Sequence, residues 1–521
     1  MSRTDKQKAA ARHGRGCGLV LGLLLSLLSA TASAATLNFT VNTSEPVTVA
    51  GSPRIAIDVG GVTRYATYAS GSGTAALTFG YPVQAGDFDA NGIAVVSPLE
   101  LNAGGLADLA GNPASALTFT LPDTSGVKVQ TYSAAFTTNP ITNANANAVG
   151  VRISNAPAGA SFNYTITSSG GSPQVTGSGT ISGLNHNVTA DVSGLAAGTL
   201  TLSVTVSTPA GGTGTASTAT ATPVFNGVLD GFTNVDVAFS TQRLRQDYTG
   251  PLLAVRRSTD SSLSTAPRQI GPTVGGGLNT AELASYCGNT SCFVQIWYDQ
   301  SGSGRHGQQG ASTTWTPVLG TPITGNDSHQ PRIYNGSIPD RIANTTLPAV
   351  SFNGTNTFLP TSPVLPAAAT SIWSTYLVDW VSNGVNGRGR VWATTPSQNP
   401  GVNAISTGED YFGISGSGNI GMEHSINPRI VSWSIRPTGQ TSSVWINATS
   451  SSATASNAVT SSFWNPNGDV RQLTIGDAPN RTRPLHARLH TLIFGNGTIT
   501  NAQRQAIETW LRGLAGINVP N

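Results

Sequence analysis

The chain has 521 residues, of which only 10% are charged and 60 are glycine. That length exceeds one domain, and so few Glu, Lys and Arg exclude an architecture of long amphipathic helices. The formal net charge is +3, but residues 1–34 hold five Lys/Arg and one Asp, so the remainder stands at −1 with Lys128 as its one lysine. Without a clustered basic face the chain is not built for nucleic acid or an anionic membrane.

Residues 1–34 read as an export signal. Arg3, Lys6, Lys8, Arg12 and Arg15 make a positive start, Leu19 to Leu28 a short apolar run, and Ala32-Ser33-Ala34 an A-x-A cleavage site. The run is too short to span a bilayer, and no second one follows. The expectation is a secreted or cell-surface protein with no membrane span.

Residues 35–124 predict a β-sandwich. "TLNFTVN", "RIAIDV", "AALTFGYPV" and "ALTFTLP" alternate apolar and polar residues between Gly, Ser, Asn and Pro turns. Residues 127–225 continue the style with "VGVRIS", "FNYTITS" and "TLTLSVTVS" and end in the linker "PAGGTGTASTATATP". Both resemble bacterial immunoglobulin-like modules, which implies a spacer or adhesive role. Asp87, Asp89, Asn91 and Gly92 match the front half of a calcium loop, D-x-D-x-N-G. Pro98 stands where such a loop needs a bidentate Glu, so a weak calcium site is set against a plain Asx-rich turn.

Residues 226–521 differ in character, because the tryptophans lie from Trp297 onward. Strands are predicted at "FVQIWYD", "SIWSTYLVDWV", "RIVSWSIRP", "SSVWINA", "VRQLTIGD" and "ARLHTLIFG". One helix closes the sequence, with Thr500 as N-cap and Gln503 at N3 in a capping box. Ala506, Ile507, Trp510, Leu511 and Leu514 form its apolar stripe, and that register turns Glu508 to solvent. Strands followed by a terminal helix predict a jelly-roll sandwich with the helix packed at its edge.

Cys287 and Cys292 enclose four residues. Zinc would need a second pair or a His at ligand spacing, and neither is present. Export places the chain where disulfides form, so the pair is expected to strap the turn leading into "FVQIWYDQSG". No metal or other cofactor is called for.

The stretches "STQRLRQDYTGPLLAVRRSTD" (240–260) and "LNTAELASYCGNTSCFVQIWYDQSGSGRHGQQ" (278–309) resemble the start of the catalytic domain of fungal-type α-L-arabinofuranosidase B, glycoside hydrolase family 54. The shared elements are S-T-x-R-L, T-G-P-L, R-x-T-D, C-x-N-T-x-C and Y-D-Q-S-G-x-G-x-H. The resemblance implies a concanavalin-A-like sandwich and removal of terminal arabinofuranosyl groups from polysaccharide, with retention. Retention needs two carboxyl groups about 5–5.5 Å apart. Carried over by motif, the nucleophile is Glu423, after Met422 in "GNIGMEHSINPRIVSWSIR". The acid/base is Asp477 in "LTIGDAPN", preceded by Gly476. Asp299, in the YDQSG turn, is expected to cap backbone N–H groups instead.

The chain also departs from the family. The pair of consecutive cysteines in the family's sugar pocket has no counterpart. Its region, "YLVDWVSNGVNGRGRVWATTP", carries Trp380 and Trp392, either a replacement stacking surface or core. His424 follows the nucleophile where the family has amides, and no arabinose-binding trefoil follows the helix. The expected fold class is therefore all-β. It comprises a signal at 1–34, immunoglobulin-like units at 35–124 and 127–225, and a concanavalin-A-like unit with its terminal helix at 226–521. The expected function is a secreted arabinofuranosidase-like hydrolase, with Trp380, Trp392, His424 and Gly476 around the sugar. The alternative is a non-catalytic carbohydrate-binding or adhesive protein on the same fold. Protease and esterase readings lack an H-E-x-x-H or G-x-S-x-G motif.

Overall fold

The computed structural model describes residues 19–22, 35–260, 267–309, 329–365, 371–381, 390–394, 405–408, 411–414, 418–421, 428–435, 443–447, 449–451, 471–476 and 484–517. Almost all regular structure is antiparallel strand, with two α-helices among the described residues. The fold is all-β with a terminal helix.

The N-terminal sheet runs Leu19–Gly22, Thr36–Ala50, Thr74–Pro82, Val62–Ser70, Arg54–Val59, Ala94–Val95. Alternation puts Phe39, Val41, Ile55, Ile57, Leu77 and Phe79 into one core, which also takes in Val127 and Val129. Leu19–Gly22 belongs to the segment expected to lie outside the fold, yet it pairs with Thr40–Thr43. An open strand edge accepts any apolar tetrapeptide nearby, which is the physical reason for that pairing.

The polar side chains of the calcium-like loop have partners within the protein. Asp87 accepts from Arg64 at 2.8 Å, from the Tyr81 hydroxyl and from the Gln84 amide. Asp89 accepts from the amides of Gly60 and Gly92, and Asn91 donates to the Ala210 carbonyl. The loop's oxygens thus hold the turn and its neighbours together. No group of three or more His, Cys, Asp or Glu suited to a metal occurs among the described residues.

In the second unit two sheets face one core. Val149, Val151 and Ile153 from one sheet meet Phe162, Ile166, Leu202, Val204 and Val206 from the other. The segment around Val274 docks on this unit: its amide donates to Leu195, and the Gly275 amide donates to Ser193.

The C-terminal unit is a sandwich of a 12-stranded and a 6-stranded sheet. Phe239, Trp297, Tyr376, Leu492 and Phe494 of the larger sheet pack against Leu359, Trp392, Leu473 and Ile475 of the smaller. The terminal helix Asn501–Ala515 covers part of the opposite face, with Ile507 and Leu511 against Trp373, Leu377, Ile430 and Ile493. The strand Ile372–Trp380 lies between these layers and is buried at every position. That explains why its sequence does not alternate.

The capping box forms as expected at Thr500 and Gln503. The stripe is rotated, however: the buried residues are Arg504, Ile507, Glu508, Leu511 and Ala515, while Ala506 is exposed. Glu508 is therefore not on the solvent side. It is 1% exposed and ion-paired with Arg504, whose guanidinium lies 4.3 Å from the Trp445 ring centre. A buried face can include a Glu when its i,i+4 partner neutralises it within the same layer.

Two local devices hold the front of this unit. The short helix Thr280–Cys287, capped by Asn279, ends at Cys287, whose disulfide to Cys292 crosses to the strand Ser291–Trp297 at a Cα separation of 6.0 Å. The second device is the Asp299 turn. Its Oδ1 accepts from the Ala238 and Ser301 amides, and its Oδ2 from the Ser301 and Ser303 hydroxyls and the Arg305 amide. Gln300 adds an acceptor for the Leu244 amide and donates to the Ser240 and Gln242 carbonyls. Beside it, Asp236 accepts from Asn496 at 2.7 Å, but its Oδ2 is buried without a hydrogen-bond partner among the described residues.

Removing the disulfide by Cys287→Ala with Cys292→Ala is expected to lower stability by about 2 kcal/mol, the entropy of so short a loop. Urea unfolding followed by tryptophan fluorescence reads this unit alone, because every tryptophan lies in it; an unchanged midpoint would refute the strap. The second expectation concerns pH. Burial raises the Asp236 carboxyl from 3.8 to about 6. The folded state therefore holds a proton that the unfolded state has released, and stability falls as pH rises from about 4 to 6. Asp236→Asn lacks this term. Its stability relative to the parent should rise across that window by on the order of 2 kcal/mol, and a parallel pair of pH–stability curves would exclude it.

Candidate functional site

The two stretches that carry the family-like motifs form a scaffold. Asp299 and Gln300 of the YDQSG turn hydrogen-bond the backbone of residues 238–244, which includes S-T-x-R-L itself. The two motifs are thus halves of one buried polar knot, and both Asp299 oxygens are engaged in it. The cysteines are buried and bonded to each other, so they supply neither a thiolate nor a metal ligand.

Glu423, His424 and Asp477 lie outside the described residues. The strand ends that lead to them are described. Gly418–Gly421 precedes Glu423 and Arg471–Ile475 precedes Asp477, and both belong to the six-stranded sheet. Four antiparallel steps separate these strands, so they run in the same direction and end at the same side of the sheet. Along a flat sheet, four steps span roughly 19 Å.

Gly476 turns the chain at the end of its strand with φ +87°. Its amide donates to the Val391 carbonyl at 3.0 Å and its carbonyl accepts from the Leu485 amide at 2.8 Å. A Cβ there would fall 2.3 Å from the Phe352 ring. Both the backbone angle and the contact demand glycine. The residue after it in sequence is Asp477.

Trp392 and Trp380 do not form an exposed sugar platform. Trp392 is 1% exposed and meets Phe494 edge-on at 5.1 Å, and Trp380 is 5% exposed in the same core. Space between two sheets is filled by large side chains at inward positions, and these two rings supply that volume.

A cavity of about 540 Å³ opens on the other face of the large sheet, with Phe352 and Thr357 at its margin. Its floor is a single cross-strand row: Arg256 opposite Phe293, Phe293 opposite Arg332, Arg332 opposite Ser351, and Ser351 opposite Arg488. Their chain neighbours Val255, Val294, Ile333, Val350 and Leu489 point into the core. The row escaped the sequence reading because its arginines are scattered over more than two hundred residues. The one available signal was an Arg beside a core aliphatic residue in three of the five strands.

Comparison with known proteins places one segment. Residues 229–330 match the family described as "Alpha-L-arabinofuranosidase B, catalytic". A probable α-L-arabinofuranosidase B of Aspergillus terreus is 44% identical over 78 residues, 15% of this chain and 15% of that protein. The α-L-arabinofuranosidase B of Aspergillus kawachii is 33% identical over 109 residues, 18% of this chain and 21% of that protein. The chain thus spans about a fifth or less of the length of these curated relatives. Among solved structures, an arabinofuranosidase complexed with arabinofuranosyl-α-1,2-xylobiose aligns over 54% of this chain and 63% of that one, at 17% identity and a TM-score of 0.40.

Proposed function

We propose that the protein is an exported, retaining glycoside hydrolase of the α-L-arabinofuranosidase type, acting on terminal arabinofuranosyl groups of polysaccharide. The observation that carries this reading is the match over residues 229–330, in which the motif residues pack against one another as a single unit. Export follows from the signal at 1–34, and residues 35–124 and 127–225 serve as immunoglobulin-like spacers.

In this reading Glu423 attacks the anomeric carbon and forms a glycosyl–enzyme ester. Asp477 protonates the departing oxygen, then deprotonates the water that releases the sugar, so two inversions give net retention. His424 and Gly476 adjoin these carboxylates in sequence and would border the sugar ring. The dry core behind Gly476, filled by Phe352 and Trp392, supports a fixed starting point for Asp477.

One observation favours the second reading, a non-catalytic glycan-binding or adhesive protein. The strands leading to Glu423 and Asp477 are four steps apart, whereas retention needs carboxyls about 5–5.5 Å apart. Hydrolysis of 4-nitrophenyl α-L-arabinofuranoside by the purified chain decides between the two readings. Turnover is expected, and Glu423→Gln should lower kcat/KM by roughly a thousandfold or more. Asp477→Asn should impair an alkyl arabinofuranoside far more than the nitrophenyl one, whose leaving group needs little protonation. Turnover that survives Glu423→Gln would place the nucleophile elsewhere, and no turnover on any aryl furanoside would leave the binding reading.

A further inference from the structure

The junction between the second unit and the C-terminal sandwich encloses a cleft of about 590 Å³, a size that suits a small-molecule ligand. Hydrogen bonds across the junction fix its walls. The Ala197 amide donates to the Pro272 carbonyl at 2.9 Å, the Val274 amide to Leu195 at 2.7 Å and the Gly275 amide to Ser193 at 2.9 Å. Asn279, itself 1% exposed, donates from Nδ2 to the Ser172 carbonyl at 3.1 Å. Val274 is buried in the core of the second unit, and the Arg243 guanidinium lies 4.7 Å from the Phe225 ring centre. Folding therefore builds the cleft, and a ligand need not pay to order it.

Each unit supplies one wall. Thr199 and Thr222 come from the second unit, and Tyr248, Gln269, Gly271 and Glu282 from the sandwich. Tyr248 is half-buried, and its hydroxyl donates to the Pro251 carbonyl, which fixes the ring. The Thr199 and Thr222 hydroxyls lie 3.4 Å apart. Gln269 gives Nε2 to the Tyr298 hydroxyl, which leaves its Oε1 as an acceptor. Arg268 engages Oε1 of Glu282 and not Oε2. The charged side chains of the described lining are Arg243 and Glu282, one of each sign, and Arg243 already donates to the carbonyls of Arg245 and Gln246. Such a lining does not select an ion. It matches a ligand whose hydroxyl groups both donate and accept, and whose C–H face can pack on an aromatic ring.

We propose that this cleft binds a neutral oligosaccharide, with the Tyr248 ring against one sugar and Thr199, Thr222, Gln269 and Glu282 on its hydroxyl groups. The choice of a sugar over other neutral polar ligands rests on the glycan-directed function proposed above. The sandwich wall falls within the matched segment 229–330, whereas Thr199 and Thr222 precede it. Neither unit holds the complete site, so the second unit contributes to binding as well as to spacing. The cleft gives the protein a point of attachment to a polysaccharide main chain apart from Glu423 and Asp477.

The test is calorimetric titration of the full chain with xylotriose, β-1,4-galactotriose and cellotriose. None of these carries an arabinofuranosyl group, so none reads the proposed catalytic site. At least one should bind. A Cβ added at Gly271 meets nothing within 4 Å, so Gly271→Trp should fill the cleft without straining the fold and weaken that binding about tenfold or more. Its urea midpoint, matched to the parent, checks folding. Gln269→Ala changes an exposed side chain and should weaken binding about threefold or more, the loss of one hydrogen-bond acceptor. Absence of binding to all the trisaccharides overturns the proposal, and that result requires no variant to fold. Undiminished binding by either variant overturns it too. Turnover of the nitrophenyl arabinofuranoside by the parent chain separates the two ideas. Binding that Gly271→Trp blocks, without turnover, keeps the cleft and removes the hydrolase; turnover without such binding does the reverse.

Discussion

The C-terminal sandwich depends on one buried carboxylate. Asp299 is 2% exposed and accepts five hydrogen bonds, two from its own turn's hydroxyls and three from backbone amides. Burying a charge is costly unless its lone pairs are satisfied, and here the acceptors are saturated by groups that would otherwise be orphaned. The bond to the Ala238 amide is the one that reaches farthest. It fixes the strand Val237–Ser240, which pairs with Phe494 to Thr491 of the last strand. That strand in turn pairs along its length with Ile372–Trp380. The first and last strands of the unit are thereby placed by a turn that lies between them in sequence.

Once the large sheet is registered, its two faces acquire different roles. The inner face, with Trp297, Tyr376 and Phe494, closes on the small sheet and excludes water. The outer face is divided. The terminal helix covers one part with Ile507 and Leu511, and its Arg504–Glu508 pair meets Trp445 at the margin. The other part lines the cavity of about 540 Å³, and there the residues that pair across five strands are arginines, a serine and a phenylalanine. Pleating alone makes this separation. Each arginine has an aliphatic chain neighbour pointing the opposite way, so one strand serves the dry core and the wet groove together.

The buried ion pairs share a design. Arg504 with Glu508, Arg64 with Asp87 and Arg488 with Asp379 each join a nearly buried carboxylate to an arginine. In a chain with so few charges, these carboxylates are structural rather than available. That is why the calcium-like loop at Asp87, Asp89 and Asn91 holds its own turn instead of presenting a cage. It also narrows the search for reacting groups to carboxylates that are not already paired.

Local signals in the sequence were read correctly where the physics is local. The Thr500–Gln503 capping box needs only residues three apart, and the Cys287–Cys292 strap only residues five apart. The Asp299 cap was legible because short acceptors in glycine-rich turns bond nearby amides, although its reach to Ala238 was not. The long motif pair 240–260 and 278–309 lies within the segment that matches the arabinofuranosidase B catalytic family. What depended on which faces meet was not legible. The helix register missed Glu508 because only the sheet beneath it sets which arc is buried. Trp380 and Trp392 could be platform or core by sequence, and the layer between two sheets made them core. The arginine row was invisible, since Arg256, Arg332 and Arg488 become neighbours only through strand pairing. The sequence by itself determined the strand-rich composition, the caps, the strap and the family-like motifs, all set within a few residues of chain. The tertiary structure alone decided burial, ion pairing and the grouping of distant arginines, because those follow from register and layer contact.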